Sequence, residues 1–376
     1  MFTVSAFNGK MRNLERFIAS FCLLLCWGGL LSRPAFASDA HELDAAKAIG
    51  FANPVIANGA DPWVIRWKEN YYLSQSRGGA SIWVNRSKTL SGIGTNNWVN
   101  VWSPPQRTPY SRNVWAPELH YLRGNWFIYF AADDGTNANH RMHVLQGTSQ
   151  NPQDPFVFKG KISAPTDRWA IDGTVLKMPG DMLYFVWSGW EGMRDGAQNI
   201  YIAPMSDPLT ISGERICISR PEFAWEKQGW PDVNEGPEPL WNGDLLFLIY
   251  SASGSWTDHY SLGQLTWTGG DPLDSRSWVK KSEPVFAATD SVFGPGHCSF
   301  VKSPDGKEDW ILYHSAQAKG SGWRRQINMK RFTWRSDGSP DFGEPMAPGV
   351  AMDFPSGEVK VRNEEADRLA VPVGAP

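Results

Sequence analysis

Hydrophobic and polar positions follow one pattern that recurs five times along this chain. "WVIRWKENYYLSQS" starts at Trp63, "ELHYLRGNWFIYFAA" at Glu118, "LKMPGDMLYFVWS" at Leu176, "LWNGDLLFLIYSA" at Leu240 and "SFVKSPDGKEDWILYHSA" at Ser299. Each is a strand, a tight polar turn and a second strand rich in aromatic and aliphatic residues that ends in small ones. Between residue 38 and the C-terminus no long stretch has the 3.6-residue period of a helix. Five copies of one hairpin predict a repeat architecture, an all-β five-bladed β-propeller, rather than a sandwich.

The copies register on their turns. Taking Lys68 to Asn70, Arg123 to Asn125, Pro179 to Asp181 and Asn242 to Asp244 as equivalent gives shifts of 55, 111 and 174 residues. On that register Asp61, Asp172 and Glu235 share one position in blades one, three and four, with Ala116 in blade two. In blade five the position falls to His297 once three extra turn residues are allowed for. Innermost strands of a propeller begin around its axis, so these residues are expected to meet in one pocket. Clustered acids repel and raise one another's pKa, which favours a chemical reason for the arrangement over a structural one.

The ends of the chain read differently. Lys10, Arg12 and Arg16 precede an apolar run from Phe17 to Leu31, and "RPAFASDA" supplies small residues before Ser38. That is the layout of a secretory signal peptide over 1–37, too short for a span of about 20 apolar residues. The propeller is expected over 38–355. The stretch 356–376, charged and then rich in Pro and Gly, reads as a surface or frayed end.

Composition narrows the partners. The leader carries four of the 36 basic residues and one of the 39 acidic ones, which leaves the remainder near −6 and argues against nucleic acid or an anionic membrane. Outside the leader 19 of the 20 tryptophans remain, and indole faces stack on sugar rings as well as filling cores. Only Cys217 and Cys298 remain there too, and sequence leaves their pairing open. His140 and His143 lack the companion ligands of a metal site, and Glu118 reads as structural support.

Two carboxyls across a sugar suffice to hydrolyse a glycosidic bond, one protonated to donate to the leaving oxygen and one ionised to activate water or attack carbon. A third can hold the donor's pKa high. Glu235, with its long arm and Gly236 and Pro237 behind it, suits the donor; Asp61 in "NGADPW" suits the base.

The set "GADPWV", "WAPELH", "AIDGTV", "VNEGP" and "FGPGHCSF", in this order, resembles glycoside hydrolase family 43 over nearly all of the chain after the leader. With "RRQINMKRFTWRSDGSPDFGEPM", it is most similar to the branch of exo-acting α-L-arabinofuranosidases. The resemblance implies a secreted, inverting hydrolase that takes terminal arabinofuranosyl units from plant cell-wall arabinan or arabino-oligosaccharides. β-Xylosidase or exo-galactosidase activity within the same family, or a sugar-binding propeller without turnover, are the alternatives. It implies Asp61 as general base, Glu235 as general acid and Asp172 as the residue that tunes and orients that acid. Trp115, His297 and Arg325 would contact the sugar. His297 would lie by the axis, where some members hold a cation, so a structural ion such as calcium is expected there although the chemistry requires no cofactor. Cys298 departs from the small polar residue relatives carry at that point. A monomer is expected.

Overall fold

The computed structural model describes residues 50–359 and Arg362. The expected leader therefore lies outside the described residues. Five antiparallel sheets follow one another in chain order, four of them with four strands and the third with five. They are the five blades of a β-propeller. The innermost strands are Trp63–Trp67, Arg112–Leu122, Ala170–Met178, Asn234–Asn242 and Phe293–Lys302.

The strands rich in apolar residues have that composition because both faces are covered. In Asn125–Asp133, alternate residues point opposite ways. Ile128, Phe130 and Ala132 pack with Ile82, Val84 and Trp102 of blade one. Phe127, Tyr129 and Ala131 pack with Val175, Phe185 and Trp187 of blade three. The same occurs between blades three and four, four and five, and five and one. The core is thus five apolar layers, one between each pair of neighbouring blades. Truncating a residue such as the fully buried Phe130 to Ala should cost about 3–5 kcal/mol.

Ring closure aligns the site. Gly50–Ala52 pairs with Ala351–Asp353. The Val55 and Ile56 N–H groups donate to the Ile327 carbonyl (2.9 and 3.2 Å), and Gly59 N–H donates to the Arg325 carbonyl (3.1 Å). Asn53 donates to and accepts from the backbone of Met329, both at 2.9 Å. The segment leading to Asp61 is thereby strapped along the strand Arg325–Trp334 of blade five, which brings Arg325 beside Asp61. The start of the expected frayed end is also tied down: Ser91 N–H donates to the buried Glu358 carboxylate (2.8 Å), and Ser356 N–H donates to Glu308 (2.9 Å).

Candidate active site

All five inner strands enter the axis through a residue with positive φ: Asp61 (49°), Ala116 (41°), Asp172 (53°), Gly236 (54°) and His297 (45°). In blades two to five the ladder to the second strand is irregular at this point. Non-glycine residues seldom adopt this conformation, so four of them in one ring mark a shared bend that turns the backbone at the axis.

This bend corrects the sequence register in blade four. Asn242 pairs with Leu245, as Trp67 pairs with Asn70 and Leu122 with Asn125, so the turn is Gly243 and Asp244 alone. The shift is therefore 175 rather than 174, and the equivalent of Asp61 is Gly236. Glu235 stands one residue earlier, level with Trp115 and Ile171. It still lines the same pocket as Asp61 and Asp172, a cavity of about 470 Å³ to which Trp115, Ile171, His297 and Arg325 also contribute. Glycine is favoured beside it, because a Cβ at residue 236 would meet the His297 ring at 3.2 Å in a backbone conformation that side chains seldom adopt.

Asp61 is surrounded by nitrogen. Its Oδ1 lies 3.2 Å from Arg325 Nη1, 3.2 Å from His314 Nδ1 and 3.3 Å from His297 Nδ1. Its backbone N–H donates to His314 Nδ1 at 3.2 Å. Burial would raise the Asp61 pKa, but the Arg325 guanidinium, with His297 and His314, reverses this and holds the carboxyl below the ordinary range. Burial also pushes both imidazoles down, His314 to about 3, so Arg325 is the permanent positive charge at this corner.

Glu235 has the opposite surroundings. Burial lifts its pKa to about 7; the Asp61 charge adds to that rise, while the Tyr260 hydroxyl, donating to Oε1 at 2.8 Å, and the Arg325 charge temper it. Asp172 is also raised well above the ordinary range, by burial and by Glu235, Asp61 and Glu118, against a hydrogen bond from Gly236 N–H. The acids Asp172 and Glu235 therefore hold protons that Asp61 does not. The Asp61 charge contributes to the rise of Glu235, and Asp172 and Glu235 repel each other.

Several supporting groups had no signal in the hairpin register. Tyr260 stacks on His314 with ring centroids 5.3 Å apart, and Gly296 makes room for it, since a Cβ there would lie 2.4 Å from the Tyr260 ring. The glycine in "GPGH" was the visible trace of that contact. Trp115 stacks on His140 (4.0 Å), which is held by Asp133 (3.0 Å) and Asn113 (3.1 Å), so His140 braces the pocket wall. Glu118 is buried against His120 (2.8 Å) beneath the pocket and bonds to Glu238, whose pKa is raised by burial and by Glu118. Asn137, Asp195 and Gln198 add polar atoms to the pocket lining. Cys217 and Cys298 are free thiols.

The axis does not suit the expected cation. His297 Nδ1 faces Asp61 and, at 3.8 Å, Asp172, while its backbone N–H donates to Ser251 Oγ (2.8 Å). Among the described residues, His, Cys, Asp and Glu form no group of three that could hold a metal ion.

A five-bladed propeller whose axial pocket brings together two carboxyls in opposite surroundings holds the pair of groups that a glycosidase needs. The model of glycosyl hydrolases family 43 matches residues 51–340, and the chain belongs to that family. It is 34% identical over 320 residues to an extracellular exo-α-(1→5)-L-arabinofuranosidase of Streptomyces avermitilis, an alignment that covers 81% of this chain and 66% of the relative, just under two thirds. A protein of the same name from Streptomyces chartreusis is 31% identical over 73% of this chain and 85% of its own length. Among solved structures, an α-L-arabinofuranosidase from Lactobacillus brevis superposes with a TM-score of 0.75 at 34% identity, covering 80% of this chain and 98% of that one.

Proposed function

We propose that this protein is a secreted, inverting exo-α-L-arabinofuranosidase acting on arabinan or arabino-oligosaccharides. The observation that carries the reading is two carboxyls in one axial pocket with opposite surroundings, Asp61 against the Arg325 guanidinium and Glu235 buried against the Tyr260 hydroxyl, which favour the ionised form of the first and the protonated form of the second. The names of the Streptomyces and Lactobacillus relatives support the sugar, and the two Streptomyces names support secretion.

The terminal arabinofuranosyl ring sits against Trp115 and Ile171, with Arg325 beside the base. Asp61 draws a proton from water as the water oxygen attacks the anomeric carbon. The bond to the leaving oxygen breaks as Glu235 delivers its proton there, so the water enters and the leaving group departs on opposite faces of the ring. Asp172, bonded to Gly236 N–H, fixes the backbone next to Glu235. No step runs through a metal ion.

Glu235→Gln tests the assignment. It should lower kcat on linear arabinotriose by about 10²–10⁴-fold while sparing substrates whose leaving groups need no proton. Proton NMR of the first product formed should show the inverted anomer. Wild-type rates on arabinotriose for Glu235→Gln, or a product of retained configuration, would each defeat the reading.

A further inference from the structure

Two tryptophans, Trp256 and Trp323, stand together at the pocket mouth, and a third, Trp230, lies on the adjoining loop beside Pro231. Trp230 and Trp323 are 73% and 67% exposed, and Trp256 lies half-buried against Trp323. Elsewhere in the lining Trp169 and Trp190 are buried and stacked on each other at 4.7 Å. Large exposed indoles grouped at a cavity rim leave apolar surface in water, which calls for a ligand that covers it.

The cluster is held in place. Trp323 meets Trp256 edge to face with centroids 5.7 Å apart, and its Nε1 donates to Ser255 Oγ at 3.3 Å. A Cβ on Gly254 would lie 2.6 Å from the Trp256 indole, so glycine there lets the ring fold back over its own loop. Gly320 N–H donates to Asp258 Oδ1 (2.8 Å) and fastens the Trp323 loop to the Trp256 loop. The Gly254 N–H to Gln228 carbonyl bond (2.8 Å) fastens the Trp256 loop to the one carrying Trp230. Ordering these side chains beforehand lowers the entropic cost of binding.

Position identifies the occupant. Trp230 lies on the loop that enters the Glu235 strand, Trp256 follows the second strand of the same blade, and Trp323 comes from the neighbouring blade five. Pro231, Trp256 and Trp323 line the same cavity as Glu235. The base, Asp61, belongs to blade one. Since the leaving oxygen departs toward the acid, Trp256 on the Glu235 blade, with Trp323 packed against it, stands on the side from which the leaving sugar exits.

We propose that Trp323, Trp256 and Trp230 form a stacking platform for the arabinofuranosyl unit on the leaving side of the scissile bond and for the chain beyond it. The inference rests on the arabinofuranosidase reading and deepens it: the axial pocket holds one terminal ring, and the tryptophans select a sugar chain as leaving group. A pentose face offers C–H bonds to an indole face, a contact that a single-atom leaving group cannot make.

The test compares linear arabinotriose with α-L-arabinofuranosyl fluoride on the full chain. Trp323→Ala should lower kcat/KM on arabinotriose by about tenfold, mainly through KM, and change the fluoride rate less than twofold. Trp230→Ala should act in the same direction. An equal loss on both substrates, or no loss on arabinotriose in either variant, would overturn the platform while leaving the reaction assignment intact. A wild-type chain that releases arabinose from neither substrate would overturn the reaction assignment and this inference with it.

Discussion

The blade-one and blade-four walls of the pocket each contribute one carboxyl, yet they hold it in opposite states. Asp61 faces Arg325 and two imidazoles, all within 3.3 Å of one oxygen, and loses its proton readily. Glu235 faces one phenol and a neighbouring acid pocket, and keeps its proton to about pH 7. Both residues are carboxylic acids at the mouth of an inner strand. The difference comes from what packs beside each acid: the strap along residues 325–329 delivers the blade-five guanidinium to blade one, whereas blade four sets its own neutral Tyr260 ring beside Glu235, in space left by Gly296 of blade five. Role follows surroundings rather than residue type.

Breaking either wall should show which is which. Asp61→Asn removes the base and should cost about 10⁴-fold in kcat on any glycoside that needs activated water, whatever its leaving group; a loss that depends on leaving group, as expected for Glu235→Gln, would exchange the two assignments. Arg325→Gln takes away the charge that depresses Asp61, so the Asp61 pKa rises and an acid limb should enter the profile of kcat/KM against pH where the wild type is flat. Tyr260→Phe removes a hydrogen bond that stabilises ionised Glu235, so its pKa rises and the basic limb, near pH 7 in the wild type, should move upward. The smallest effect concerns stability. The Glu238 pKa is raised in the fold, so the folded state keeps a proton that the unfolded chain gives up, and stability falls as pH climbs past the ordinary Glu range. Glu238→Gln removes that slope, and its Tm at pH 8 should exceed the wild type by about 2–4 °C, with no gain at pH 4, as read by calorimetry.

Much of this was legible in the sequence because a propeller repeats its hydrophobic pattern five times. The hairpins from Trp63 to Ala316 announced the blades, and the common turn register brought Asp61, Asp172 and His297 to one ring of the axis. Blade four was misplaced by one residue because "WNGD" permits two readings of its turn, and only strand pairing shows that Asn242 ends the strand. Glu235 was found all the same, since a long side chain one step from the bend still reaches the pocket. Tyr260 and His314 escaped notice because their contacts cross between blades, where sequence distance carries no signal. Asp172 was legible as a partner of the acid because the turn register carried it to the same end of the inner strands.

The central claim is the difference in protonation between two acids in one pocket. A ¹³C NMR titration of the side-chain carboxyls, with Asp61→Asn and Glu235→Gln used to assign the two resonances, reads it without turnover. The account predicts that Glu235 titrates near pH 7 while Asp61 stays ionised down through the ordinary carboxylate range. A Glu235 resonance that titrates near pH 4, or an Asp61 carboxyl still protonated at neutral pH, would contradict it.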